Sequence, residues 1–255
     1  MKFSILISSY NKGKYIKKCI DSCLSQTERN YEIILFDNNS TDKTSNILNK
    51  YKSKIRIYKK KKISNFPALN QLDLIFYAFK KSKGSIVCLL DGDDFFDSNK
   101  LLTIKHYFQK NPKVNTIFDL PVEQYKSYKR KFKIKKKLQK NIWPTIIPTS
   151  GISCRRVFFN KFLKKTFLKK FRHLEIDFRL NVYSRNLDKR FIILKRDLTV
   201  YRKVNNSIMS NINKFSKKWW IKRFEAHKFM QELFLKSGLK YNNSFDFFIS
   251  KLLSK

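Results

Sequence analysis

Three carboxylates crowd into Asp91-Gly92-Asp93-Asp94, in a chain that otherwise sets 57 Lys+Arg against 19 Asp+Glu. Acids this close repel one another unless a cation sits against them, and hard divalent ions such as Mg²⁺ or Mn²⁺ take carboxylate oxygens. The apolar run Ser85-Ile86-Val87-Cys88-Leu89-Leu90 just before the cluster reads as a buried strand. Acids at the carboxyl end of a strand in an α/β sheet lie where such sheets bind ligands. The spacing therefore suits a metal ion, and a phosphate held through it. A second polar loop, Asp37-Asn38-Asn39-Ser40-Thr41-Asp42, follows the apolar run Tyr31 to Phe36. Asp or Asn there can accept a hydrogen bond from a base N–H or a ribose hydroxyl. Plain helix capping explains the same residue types.

The elements that must position these loops follow from periodicity. Phe3 to Ile7 reads as a strand, and Ile16, Cys19, Ile20, Cys23 and Leu24 recur at helical spacing. Tyr31 to Phe36 is a second strand, a helix carries Ile47, Leu48 and Tyr51, and Ile55 to Tyr58 is a short third strand. Pro67 suits the first turn of a helix lined by Leu69, Leu72, Phe76 and Phe79, with Gly84 as its stop. Ser85 to Leu90 is then the fourth strand. This alternation predicts a mainly parallel, helix-covered sheet, on which the two acid-bearing loops open at the same edge. Further on the pattern predicts a helix at Asn99 to Gln109, strands at Val114 to Phe118 and Ile152 to Cys154, and a helix from about Arg156. A helix at Glu175 to Arg185 and strands at Phe191 to Leu194 and Leu198 to Tyr201 follow. Tyr125 to Lys137 is a solvated hairpin or loop, and Trp143-Pro144 to Gly151 is loop-like. After Lys214, aromatics suggest helices with a wide apolar face.

Composition narrows the classes. At 255 residues with 42% hydrophobic content the chain can bury a sizeable core. The net charge of +38 suits nucleic acid, an anionic membrane surface or an anionic substrate. Compositional bias in a chain rich in Lys, Asn, Ile, Phe and Tyr is the competing account. Cys19, Cys23, Cys88 and Cys154 form no CxxC pair and only three histidines occur, which disfavours a zinc site. Reduced core thiols fit a cytoplasmic protein. No signal peptide and no membrane-spanning helix are expected.

Four segments resemble family 2 glycosyltransferases in order over residues 3–105: the strand Ile5-Leu6-Ile7-Ser8-Ser9-Tyr10-Asn11, the helix end Cys23-Leu24-Ser25-Gln26-Thr27, the loop Phe36-Asp37-Asn38-Asn39-Ser40-Thr41-Asp42, and the DxD-type Leu90-Asp91-Gly92-Asp93-Asp94. Pro148 to Gly151, running on to Arg155-Arg156, looks like the acceptor-side segment of such enzymes. The resemblance implies a GT-A (Rossmann-like) α/β fold with a mixed, mainly parallel sheet covered by helices. With the aromatic pattern after Lys214, the expected division is a transferase domain over residues 1–210, nucleotide-sugar half 1–118 and acceptor half 119–210, and a helical C-terminal extension over 211–255. It implies an inverting transfer from a nucleotide-diphosphate sugar, uridine first, to a glycan or lipid-linked acceptor. Ser8, Tyr10, Asn11, Asp37, Asn38, Asp91 and Gly92 would bind the nucleotide sugar, and Asp93 with Asp91 would hold Mg²⁺ or Mn²⁺. Where many relatives carry two acids, Asp37-Asn38 has one.

The family's catalytic base is an acid in the second half, usually within a Glu-Asp pair. Here His173-Leu174-Glu175-Ile176-Asp177 splits that pair. Asp177 is the favoured base and Glu175 the alternative, while both also suit a helix N-terminus. The mixed stretch Lys217 to Phe224 allows a peripheral contact at the inner face of a membrane, or simple packing of a helix on the domain, which the width of its aromatic face favours. Lys126 to Lys137 has rings that could stack bases, but no nucleic-acid module surrounds it. Two other classes stay open: a nucleotidyltransferase, disfavoured by the single Gly13 in the first loop, and a non-catalytic basic binding protein.

Overall fold

The computed structural model describes residues 1–134, 145–167, 169–204 and 212–255. Among them, seven strands form one sheet in the order β10 (Phe191–Leu194), β6 (Thr116–Asp119), β9 (Ile152–Arg155), β4 (Ile86–Asp91), β1 (Phe3–Ser9), β2 (Tyr31–Asp37), β3 (Arg56–Lys59). All pairs are parallel except those of β9, which runs antiparallel between β4 and β6. The expected mainly parallel sheet is therefore present, with one reversed strand in its middle. Helices α1 (Ile16–Leu24), α2 (Thr44–Asn49), α3 (Pro67–Lys81), α4 (Lys100–Lys110) and α5 (Arg156–Thr166) connect and cover it.

Alternation along the strands divides the interior into two cores. Leu6, Ile34, Val87 and Leu89 face α3, α5 and the C-terminal helix α7 (Lys217–Leu235). Ile5, Ile7, Cys88 and Leu90 face α1 and α4. Burial on both faces is why these strands read as near-continuous apolar runs. All four cysteines are free and buried.

A second sheet, β5 (Phe95–Phe96), β11 (Thr199–Arg202), β7 (Val122–Gln124), β8 (Lys129–Lys131), stands over the carboxyl edge of the first. Its β7–β8 hairpin is the basic stretch near Tyr125, and residues 135–137 of that stretch, like Trp143-Pro144, lie outside the described residues. Strand β5 is too short to register in periodicity. The helix expected from Glu175 is α6 (Ile176–Val182) and then a π-helical turn at Tyr183–Asp188. Helix α3 ends before Ser82, two residues short of Gly84. Gly84 serves close packing instead: a Cβ there would stand 2.6 Å from the backbone carbon of Phe3.

Helix α7 contributes Ala226, Phe229, Met230 and Leu233 to the first core, so its aromatic face packs on the domain, with Trp219 and Trp220 half-buried. Helix α8 (Phe245–Leu253) packs beside it. The expected boundary at 210/211 falls among residues 205–211, outside the described residues. No helix of the described residues is long and apolar enough to cross a membrane.

One buried ion pair ties the two sheets together. Lys100 Nζ donates to Asp119 Oδ2 at 2.8 Å, to the Ser150 carbonyl at 2.8 Å and to Thr199 Oγ1 at 2.6 Å, and both charged side chains are wholly buried. Lys100→Ala is expected to lower the unfolding free energy by about 3–5 kcal/mol, because it strands the Asp119 charge. Denaturant titration checks this, and a loss under about 1 kcal/mol would show the pair to be slack.

Candidate active site

Parallel register places the polar ends of β1, β2 and β4 side by side, with Ser8 opposite Asp91 and Ser9 opposite Asp37. Ser8 Oγ donates to Asp91 Oδ1 at 3.0 Å, and Gln71 Nε2, from α3, donates to the same oxygen at 2.7 Å. Burial, and then the Asp93 charge, push the Asp91 carboxyl up to about 6. Asp94 points inward. It accepts from Ser150 Oγ at 2.6 Å and from the Arg202 amide at 2.8 Å, and burial followed by its two acidic neighbours pushes it well above the usual carboxylate range. Asp93 meets Lys12, whose Nζ lies 2.5 Å from Oδ2. The three acids thus have three fates: one braced from two sides, one tied to the second sheet, one held by a lysine.

Arg202 locks the cluster from the second sheet, donating from Nη1 to the Asp93 carbonyl at 2.8 Å. Ser150 Oγ also accepts from the Asp91 amide at 3.0 Å. The segment Thr149–Gly151 is a single 3₁₀ turn pressed on Asp119, where a Cβ on Gly151 would stand 2.6 Å from the Asp119 carbonyl oxygen. A larger residue at 151 would therefore shift Ser150 from both aspartates.

These groups open on a cleft of about 410 Å³ at the strand ends. Ser8, Tyr10, Asn38, Asp91, Gly92 and Asp93 line it from the first half of the chain, and Thr149, Glu175, Asp177 and Tyr201 from the second. Lys62 stands over the Tyr10 ring at 3.7 Å. Across the cleft, Lys222 Nζ from α7 grips Glu175 at 2.5 and 2.6 Å. Asp177 accepts from the Phe178 amide at 2.6 Å, and burial, then the Glu175 charge, push its carboxyl up to about 7. The loop before α6 is held in place by Arg179, wholly buried, which donates to the Leu174, Thr166 and Phe171 carbonyls. Burial first, and then the aspartates, raise the Tyr201 phenol, so it stays a hydrogen-bond donor.

Two expected nucleotide contacts are not on this cleft. Asp37 is wholly buried and turns back on its own loop, accepting from the Ser40 amide at 2.8 Å and the Ser40 hydroxyl at 2.6 Å. These bonds brace the turn after β2 rather than a helix end, since α2 begins only at Thr44, while Asn38 keeps a face on the cleft. Asn11, at φ 51°, bridges to the neighbouring loop through the Thr41 amide and the Ser40 hydroxyl and faces a separate cleft. His173 also lies off the site, paired with Glu225 and edge-on to Phe66. Lys12, Gln71, Tyr201, Arg202 and Lys222 had no signal in the sequence. Lys12 comes from the loop after β1, Gln71 from α3, Tyr201 and Arg202 from β11 and Lys222 from α7, and apart from Lys12 they lie far along the chain from the acids they meet.

The residues present suit a divalent ion in a limited way. No group of three His, Cys, Asp or Glu side chains converges on a metal position among the described residues. Asp93 with part of Asp91 offers one or two carboxylates, which suits an ion that takes its other ligands from phosphate and water.

The family model for glycosyl transferase family 2 matches residues 4–167. A poly(ribitol-phosphate) beta-glucosyltransferase of Bacillus spizizenii is 35% identical over 116 residues, 44% of this chain and 18% of that one. The UDP-Glc:alpha-D-GlcNAc-diphosphoundecaprenol beta-1,3-glucosyltransferase WfaP of Escherichia coli is 35% identical over 106 residues, 42% of this chain and 41% of that one. The matched stretch thus spans less than half the length of either relative. Among solved structures, S. aureus TarS 1-349 in complex with UDP-GlcNAc superposes with a TM-score of 0.68 at 17% identity, covering 100% of this chain and 70% of that one. The mannosyltransferase PcManGT from Pyrobaculum calidifontis, in complex with GDP-Man and Mn²⁺, gives 0.55 at 13% identity, covering 99% of this chain and 68% of that one. These two likenesses bear on the fold, which is the GT-A fold expected from the sequence.

Proposed function

Because the chain belongs to glycosyl transferase family 2, we propose that it moves a sugar, with inversion, from a nucleotide-diphosphate sugar to a hydroxyl of a glycan or lipid-linked acceptor. One observation carries the reading: Ser8, Asp91, Asp93 and Asp177, from opposite halves of the chain, converge on one cleft of about 410 Å³. Tyr10 and Asn38 would hold the base, and Asp91, braced by Ser8 and Gln71, the ribose. The names of WfaP and of the TarS complex support a uridine nucleotide first.

Transfer breaks the bond between the sugar's anomeric carbon and the diphosphate oxygen and forms one to the acceptor oxygen. Asp177 would take the acceptor's proton, and a base near neutrality suits that task. Attack comes from the face opposite the leaving group, as in other inverting sugar chemistry. Asp93 and Asp91 would hold Mg²⁺ or Mn²⁺, and a bound ion supplies Lewis-acid charge to the departing diphosphate. Tyr201 would donate to the same region. A lipid-linked acceptor would bring the protein to the inner face of a membrane. Phe215, 62% exposed beside Trp219, supports such a contact.

The test is a thermal-shift series of nucleoside diphosphates with and without Mn²⁺. UDP at about 100-fold its dissociation constant should add about 2.7 kcal/mol of stability by mass action, and absence of a shift with every base would defeat the reading. The Lys12–Asp93 pair adds a second expectation. A cation already occupies the Asp93 carboxylate, so an incoming ion must displace it. Lys12→Met should tighten Mn²⁺ binding to the nucleotide-free protein by roughly tenfold, read from the electron paramagnetic resonance of free Mn²⁺. Unchanged affinity would separate Lys12 from the metal position.

A further inference from the structure

Beyond Lys12 and Tyr10 lies a second cleft, about 870 Å³, roofed by the hairpin sheet. It shares those two side chains with the first cleft and so opens directly beside the reacting centre. Its wall carries Lys12, Lys14, Lys126, Arg202 and Lys203 against a single carboxylate, Asp42. That acid is already committed: its oxygens accept from the Gly13 amide at 3.0 Å and the Thr44 amide at 2.9 Å.

The cations differ in how firmly they are engaged. Lys12 is paired with Asp93, and Lys203 with Glu123 at 2.9 Å. Arg202 is fixed between the Tyr15 and Phe95 rings at 5.3 and 4.7 Å. Lys14, from the loop before α1, and Lys126, from the β7–β8 hairpin, are exposed at the outer lip and pair with no carboxylate among the described residues. Two ammonium groups from separate elements therefore face one concave space that lacks a free anion. Like charges so placed repel, and an anion between them relieves that repulsion and gains charge-assisted hydrogen bonds.

We propose that this second cleft seats phosphate groups of the acceptor. The inference rests on the transferase reading and names the acceptor as phosphate-bearing. A donor diphosphate in the first cleft accounts for the shared Lys12, but not for Lys14 and Lys126. The cleft has about twice the volume of the donor cleft, and its outward run suits a chain that carries phosphate at intervals or a lipid-linked diphosphate.

The experiment measures anisotropy of a fluorescent glycerol-phosphate oligomer, and separately of a labelled short-chain prenyl diphosphate, on the full chain with saturating UDP and Mn²⁺ at about 0.15 M salt. At least one probe should bind, and Lys14→Glu with Lys126→Glu should weaken that binding about tenfold while leaving the UDP affinity unchanged. Oligomer binding alone points to a phosphodiester polymer, and prenyl diphosphate binding alone to a lipid carrier. The control Lys52→Glu with Lys113→Glu makes the same charge change at exposed lysines off this cleft and should bind as the parent does. The proposal is overturned if neither probe binds in the presence of UDP, if UDP displaces the probe, or if control and cleft pairs lose affinity equally. A protein that fails to bind UDP would instead remove the transferase reading, so the two failures are distinguishable.

Discussion

Asp93→Ala is expected to cut sugar transfer by about 10³-fold while the fold survives. Asp91 and Asp94 are built into the scaffold, through Ser8 and Gln71 in one case and Ser150 and Arg202 in the other. Among the described residues, Asp93 is attached by its side chain only to Lys12. Its carboxylate is therefore the member of the cluster not built into the scaffold, and losing an electrostatic stabiliser of a leaving group lowers rates by about 10² to 10³. Removing it should also leave stability nearly unchanged, or raise it slightly, since one of three crowded acids is gone. Turnover measured with a UDP-sugar panel, alongside a melting curve, checks both halves. An active Asp93→Ala enzyme would remove any metal role from this loop, whereas Asp94→Ala should fail mainly by unfolding, because it frees both Ser150 and the Arg202 amide.

How much of the fold and site is legible in the sequence depends on the range of each interaction. Strand ends and parallel order follow from local periodicity, so the amino-acid pattern alone puts Ser8 and Asp91 on one edge. The direction of β9 does not follow from it, because direction is set by the path the chain takes after α4, and Ile152 to Cys154 reads the same either way. The loop at Asp37 shows the limit of residue type: Asp there suits ribose binding and bracing of its own turn alike, and in this structure its oxygens accept from Ser40 three residues on. Asn38, one residue later, keeps its face to the cleft. Gly84 is ambiguous for a related reason, since a glycine after a helix suits a stop as well as a close approach, and contact with Phe3, far off in sequence, requires the second. The split pair Glu175-Ile176-Asp177 is the weakest part of the motif. The fold gives the spacing a sense: Ile176 is wholly buried at the start of α6, while both acids reach the cleft, one tied to Lys222 and one not.

That difference makes Asp177→Asn the sharper of two substitutions. Glu175 is engaged with a lysine at both oxygens, so neither faces an acceptor hydroxyl unhindered, whereas burial and the Glu175 charge push the Asp177 carboxyl up to about 7. Transfer should therefore rise with pH through about 7 as the Asp177 carboxyl ionises. Asp177→Asn should lose about 10² to 10⁴ in rate, the range of general-base catalysis, together with that limb of the profile, while UDP affinity holds. Stability should move the other way. An ordinary aspartate titrates near about 3.9, so between about pH 4 and 7 the folded chain binds more protons here than the unfolded one, and stability falls as pH rises across that window. The Asn variant lacks that penalty and should be at least as stable as the parent at about pH 8, with a flatter dependence. Glu175→Gln supplies the discriminating control: it removes the repelling charge and releases Lys222 toward Asp177, so the activity limb should shift to lower pH without vanishing. If Glu175→Gln instead abolishes turnover and Asp177→Asn does not, the base is Glu175 and the lysine beside it is part of the proton's path.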